Sequence, residues 1–236
     1  MKIMMFKINL LLILIIPGLL HAQEVMDYKA EYFFETDKFS VSGIRELKTT
    51  DNQSSLTFNA KTKLLKLFFE SSFDIRNNQV FSDKYSVKLK AFLIKRNYLI
   101  EYDNENKTVE SSDENAWKIS YKEDLNILDP LNAQIQMRIN VKKMVDLQDF
   151  KPFEILLQDI RNGKIEKNIY KFSRKDQYKF KDKLYDSIVI ERVRDQDSRV
   201  TEYHLVPSLG YLILEVIDRK EDGIERLTLQ KILSLG

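Results

Sequence analysis

The sequence predicts a mainly β protein: a strongly curved antiparallel sheet, or half-barrel, with one principal helix near residues 129–144. Three observations predict it. Apolar and polar residues alternate with period two along most of the chain, the pattern of half-buried strands. Short polar turns separate these runs, among them Asn77-Asn78 and Asn162-Gly163, and Asn and Gly tolerate the positive φ of tight hairpins. One stretch alone, after Asp129-Pro130, combines a helix-start pair with a long run free of Gly and Pro.

The first element is a targeting segment. Lys2 and Lys7 precede an apolar run over residues 8–16, and Pro17-Gly18 breaks it before Leu20-His21-Ala22. This is the pattern of a cleaved secretory signal peptide over residues 1–22. The run is short for a membrane span of about 20 residues. No Cys follows it to carry acyl chains, so the expected product is periplasmic and not a lipoprotein, with no integral span after cleavage. One domain, residues 23–236, follows.

In that domain Tyr28, Ala30 and Tyr32, with Met26, share one face of a first strand. Further strands are expected over Gly43–Leu47, Leu56–Thr62, Leu64–Ile75, Val80–Leu89, Ala91–Tyr102, Thr108–Glu110 and Ala116–Tyr121. The helix follows, with Lys142 and Lys143 near its C-terminus, where the macrodipole favours cations. Phe153–Gln158 and Lys164–Phe172 flank Asn162-Gly163, and Tyr178–Phe180 forms a short strand. Four closing strands lie near Leu184–Val193, Arg199–Val206, Tyr211–Asp218 and Glu225–Leu233.

Composition narrows the function. Removing Lys2 and Lys7 leaves 36 basic and 36 acidic residues, so no global field steers the mature chain to nucleic acid or to an anionic membrane. An exported chain with no Cys is held by its core alone. His204 is the sole histidine after the signal segment and makes no zinc site by itself. No Gly-x-Ser-x-Gly elbow presents a nucleophile. Asp195-Gln196-Asp197-Ser198-Arg199 opens like a calcium loop but lacks the later Gly and Glu ligands, and reads as a solvated turn. No catalytic residue, metal site or cofactor is expected. The lysines of residues 63–96, with aromatics between them, read as solvated strand faces that guard edges rather than as a platform for nucleic acid.

Two runs break the alternation. Leu64–Phe69 and Phe92–Ile100 place apolar side chains on both faces, which a one-sided sheet does not do. Either the helix covers the second face, or the sheet curls round an apolar interior. The second alternative makes Leu65, Leu67, Phe68, Phe69, Phe92, Ile94, Tyr98 and Ile100 the candidate binding residues for a lipid or other apolar ligand.

Several motifs resemble a family of exported bacterial proteins, the domain of unknown function DUF3108. Tyr28-Lys29-Ala30-Glu31-Tyr32 resembles its opening Tyr-x-Ala-x-Tyr, and Tyr102-Asp103 its mid-chain Tyr-Asp. Asp129-Pro130-Leu131-Asn132-Ala133 through Arg138 resembles its helix start, with Asn132 where Ser is usual. Arg199-Val200-Thr201 and His204-Leu205-Val206-Pro207 resemble its Arg-x-Thr and Trp-Leu-Ala-Pro, with His204 in place of Trp. Ile213 falls where the family often has Pro, and Glu221-Asp222-Gly223 through Leu229 also fits. The resemblance implies a curled antiparallel sheet like that of periplasmic lipoprotein carriers, and no catalytic residues. The expected function is a non-catalytic envelope protein binding a lipid or acyl-containing ligand in the concave face. The alternative is a scaffold module of envelope assembly that binds a protein partner.

Overall fold

The computed structural model describes residues 25–50, 53–91, 94–112, 116–194 and 199–236. The expected signal peptide, Phe92 and the Asp195–Ser198 turn lie outside them. The first eight strands are β1 (Tyr28–Glu35), β2 (Ser40–Thr50), β3 (Gln53–Lys61), β4 (Leu65–Arg76), β5 (Gln79–Ala91), β6 (Ile94–Asp103), β7 (Thr108–Ser111) and β8 (Trp117–Ser120). A two-residue strand β9 (Ile127–Leu128) precedes the helix α1 (Ala133–Asp146). Then come β10 (Phe153–Gln158), β11 (Ile165–Phe180), β12 (Lys183–Val193), β13 (Val200–Val206), β14 (Leu212–Lys220) and β15 (Gly223–Leu235).

All fifteen strands form one sheet. Two antiparallel meanders, β1–β8 and β10–β15, join where the first strand pairs with the last, from Tyr28 opposite Leu235 to Glu35 opposite Arg226. Only β9 and β10 run parallel, across α1, as a crossover connection allows. Register shifts in β1, β4, β11 and β13 add local twist. The sheet curls until its two ends approach. A Cβ built on Gly163, in the β10–β11 turn, would lie 2.7 Å from Cε3 of Trp117 on β8. Gly163 also has φ +76°, so the turn needs glycine for both conformation and space.

The turns follow their chemistry. Asn77 and Asn78 take φ 53° and 62° between β4 and β5, the positive pair of a type I′ hairpin. The expected strands over 164–172 and 178–180 prove to be one sixteen-residue strand, β11. The polar residues between them, Ser173 to Gln177, still pair with β12 across a register shift at Phe172/Arg174. Polarity there marks a wet face, not a turn.

The helix begins at Ala133, four residues later than expected. Asp129 instead opens the turn of residues 130–132 that leads into the helix: its Oδ1 accepts from the backbone N–H of Leu131 (2.7 Å) and Asn132 (2.8 Å). The backbone N–H of Asp129 donates back to Asn132 Oδ1 (3.1 Å). The helix is buried on most sides, including Ala133, Ile135, Met137, Ile139, Val141 and Met144. It therefore fills the concave side of the sheet, inside a core that contains Tyr28, Tyr32, Leu56, Phe73, Ile100, Ile190 and Leu214. Burial of each such side chain contributes about 1.5–3 kcal/mol. Polar contacts fix its position. Gln136 accepts from Val80 N–H (2.8 Å) and donates to Asn78 O (3.2 Å). Arg138 Nη2 donates to Gly210 O (2.9 Å) and Met26 O (3.2 Å), tying the helix to both sides of the β1–β15 seam.

Candidate functional site

Register sets out the concave face at one end of the β1–β8 meander. Across the strands, Gly43, Ala60, Leu67, Leu89 and Arg96 share one row. Arg45, Phe58, Phe69, Val87 and Tyr98 share the next, and Leu65, Ala91 and Ile94 close the end. Val41, Phe58 and Ala60 are buried there, with Phe34, Leu65, Leu67 and Phe69 half-buried against them. These residues form an apolar strip beside the main core, joined to it through Phe69, which packs against both, and no residue of α1 belongs to the strip.

Arg45 marks the boundary between strip and core. Its guanidinium sits 5.1 Å from the Tyr32 ring and 6.0 Å from the Phe58 ring, and donates to Gln134 Oε1 of α1 (2.6 Å). On the strip side Gly43 makes room for an aromatic: a Cβ there would come within 2.5 Å of Phe58 Cζ. The Phe58 and Phe69 rings lie 6.1 Å apart. Arg96 stands exposed at the rim, opposite Leu89.

The sequence candidates divide accordingly. Leu65, Leu67 and Phe69 meet on the strip. Ile94 lies on the same face but is exposed at its end, and Tyr98 is half-buried against the main core. Ile100 is fully buried in the main core and lines no open surface. Phe68 points to the opposite, convex face, where Lys88 lies over its ring at 5.8 Å. Both alternatives left by the doubly apolar runs thus hold in part: the sheet curls, and the helix covers much of the interior. Of the expected concave-face residues, Phe68 lies on the convex face and Ile100 in the closed core, so neither lines the open end of the concave face. Sequence reading missed Phe34, Val41, Gly43 and Phe58. Their own alternation placed them on one face, but only the register of β2 and β3 brings them beside β4.

A buried polar centre lies under the helix start. Ser71 Oγ donates to Asp129 Oδ2 (2.6 Å), Asn132 Nδ2 donates to Ser82 Oγ (2.9 Å), and Ser82 Oγ donates to Ile127 O (3.1 Å). Burial pushes the Asp129 carboxyl up to about 7, against the hydrogen bonds from Ser71, Asn132 and Leu131. These groups knit β4, β5 and β9 to α1, which assigns the centre to structure.

His204 is buried beside the Tyr178 ring at 5.6 Å, and burial lowers its pKa. Neither ring nitrogen has a hydrogen-bond partner among the described residues. Among the described residues no group of three or more His, Asp or Glu side chains gathers as a metal site, and no helix is long and apolar enough to cross a membrane.

No protein-family model matches the chain. No curated protein matches it either. Among solved structures it is similar to a β-barrel-like protein of domain of unknown function DUF1849 from Brucella abortus, with TM-score 0.58 and 9% identity. The match covers 88% of this chain and 97% of that one. The similarity defines the fold class: a mainly β, barrel-like domain. At that identity it establishes the fold and nothing of the chemistry.

Proposed function

We propose that the chain is a non-catalytic, exported protein of the bacterial envelope that holds an acyl chain on the uncovered end of its concave face. One observation carries this reading: the strip of Phe34, Val41, Phe58, Leu65, Leu67 and Phe69 extends past the helix-filled core, which it meets at Phe69, and remains partly open. Open apolar surface inside a curved sheet suits a flexible hydrocarbon chain. Arg96 at the rim adds a cation for an acidic head group. The signal-like residues 1–22 and the DUF3108 motifs support a periplasmic location.

The test is lipid extraction and mass spectrometry on mature protein purified from the periplasm without detergent. The expected result is an acyl species near one per chain, diminished in Leu67→Gln. A monodisperse protein free of lipid, with Leu67→Gln indistinguishable from it, contradicts the reading. It would favour a scaffold that takes a partner strand at the β8 edge.

A further inference from the structure

The convex face of the same four strands carries a feature that the apolar strip does not explain. Lys61 pairs with Lys66, Lys66 with Lys90, and Lys90 with Lys95, so one lysine row crosses β3, β4, β5 and β6. All four are exposed. Like charges placed directly opposite one another destabilise a sheet. None of the four is paired with a carboxylate among the described residues. Residues 56–69 and 84–100 contain no Asp or Glu at all.

The next row brings Phe68 and Lys88 together, and both rows line an open cleft of about 330 Å³. At the adjacent strand end an apolar side chain faces solvent: Leu64 is 73% exposed. Cations in a row with an apolar tip beside them match one chemistry, a surface of anionic head groups over hydrocarbon. A dissolved polyanion would match the charge but would leave Leu64 without a role.

We propose that this convex end of β3–β6 docks on an anionic phospholipid surface, with Lys61, Lys66, Lys90 and Lys95 against the head groups and Leu64 at the hydrocarbon boundary. The docking needs no ligand on the strip, so it stands or falls separately from the acyl-binding reading.

The test is sedimentation of the mature protein with phosphatidylcholine vesicles, with and without about 30% phosphatidylglycerol. The protein should sediment with the anionic vesicles only, and should release as salt shortens the Debye length from about 10 Å to about 3 Å. Each lysine near such a surface is worth about fivefold in affinity, so Lys66→Gln/Lys90→Gln should weaken binding about 25-fold. Leu64→Ser should weaken it about tenfold. Lys164→Gln/Lys179→Gln, two exposed lysines of the other meander, should leave it unchanged and serves as the folded control. Equal binding by the lysine-row variant overturns the proposal. So does wild-type protein that ignores both vesicles, including the case in which it binds single-stranded DNA through the same lysines.

Discussion

Two regions of the sheet treat charge in opposite ways: strands β13 and β14, and the convex end of β3–β6. On β13 and β14 the carboxylates are partnered. Glu202 lies between Arg174 (2.5 Å) and Arg219 (2.6 Å). Asp218 takes a bidentate pair from Arg199 and a hydroxyl from Thr201 (2.9 Å). Burial alone would raise both carboxyls, but these partners outweigh it and hold them below their usual range. Asp129, between β9 and α1 and hydrogen-bonded to Ser71 of β4, has hydroxyl and amide donors but no cation, and burial wins. The lysine row on the convex face has no acid beside it among the described residues. Partnered charge on β13 and β14 serves the fold, whereas the lysine row of β3–β6 sets a cost without such an internal return, although other charges of β1–β8 do pair, Lys29 with Glu46 and Lys118 with Glu110 among them.

The sharpest break of this comparison is a pH scan. Asp129 binds its proton more tightly folded than unfolded, so its contribution is full below about pH 4 and is lost as pH rises toward about 7. The swing is about 4 kcal/mol at most, at about 1.4 kcal/mol per pH unit. Glu202 and Asp218 have depressed pKa values, so their contribution is present at neutral pH and is lost as pH falls below the ordinary carboxyl range. His204, kept neutral by burial, also loses stability as pH falls below its ordinary range. Urea melts of wild type and Asp129→Asn at matched pH isolate the first effect: their difference should change steeply between about pH 4 and about pH 7. A constant difference would remove Asp129 from the comparison.

The seam between the halves comes next. Arg138 is buried, and its Nη2 joins Met26 O and Gly210 O. Arg138→Ala leaves both carbonyls without that donor and opens a cavity beside Tyr28, so thermal melts should show a loss of about 3 kcal/mol. Glu202→Gln should cost less, about 1–2 kcal/mol, because Arg174 and Arg219 are each nearly half exposed. The smallest effect has the opposite sign. Lys90→Gln removes two like-charged neighbours at once and should leave stability unchanged or raise it by about 0.5 kcal/mol. A loss of 1 kcal/mol or more on Lys90→Gln would mean the row is partnered after all.

Much of this was legible in the sequence, and the failures have physical causes. Alternation located most strands because one face of each is wet. It split β11 because Ser173–Gln177 is polar on both faces while still hydrogen-bonded to β12. Asp129-Pro130 marked the helix, yet Asp129 serves the turn before it, since its carboxyl reaches the N–H groups of residues 131 and 132. The apolar site was half legible. Leu65, Leu67 and Phe69 announced themselves as a run, but an apolar run cannot say which members face inward. Register placed Phe68 outside, put Ile100 in the main core, and brought Phe58 from β3 beside Phe69. The lysine row was visible only as scattered basic residues, because like charges become neighbours through pairing across strands.

The account rests on the uncovered strip at the end of the concave face, and photocrosslinking tests it most directly. Mature protein would be equilibrated with a fatty acid bearing a diazirine on its chain, irradiated, digested and mapped by mass spectrometry. The account predicts saturable labelling confined to the β2–β4 peptides that carry Val41, Phe58, Leu65, Leu67 and Phe69, reduced by excess unlabelled fatty acid. Labelling that does not saturate, or that falls on α1 and the β10–β15 meander instead, would contradict it.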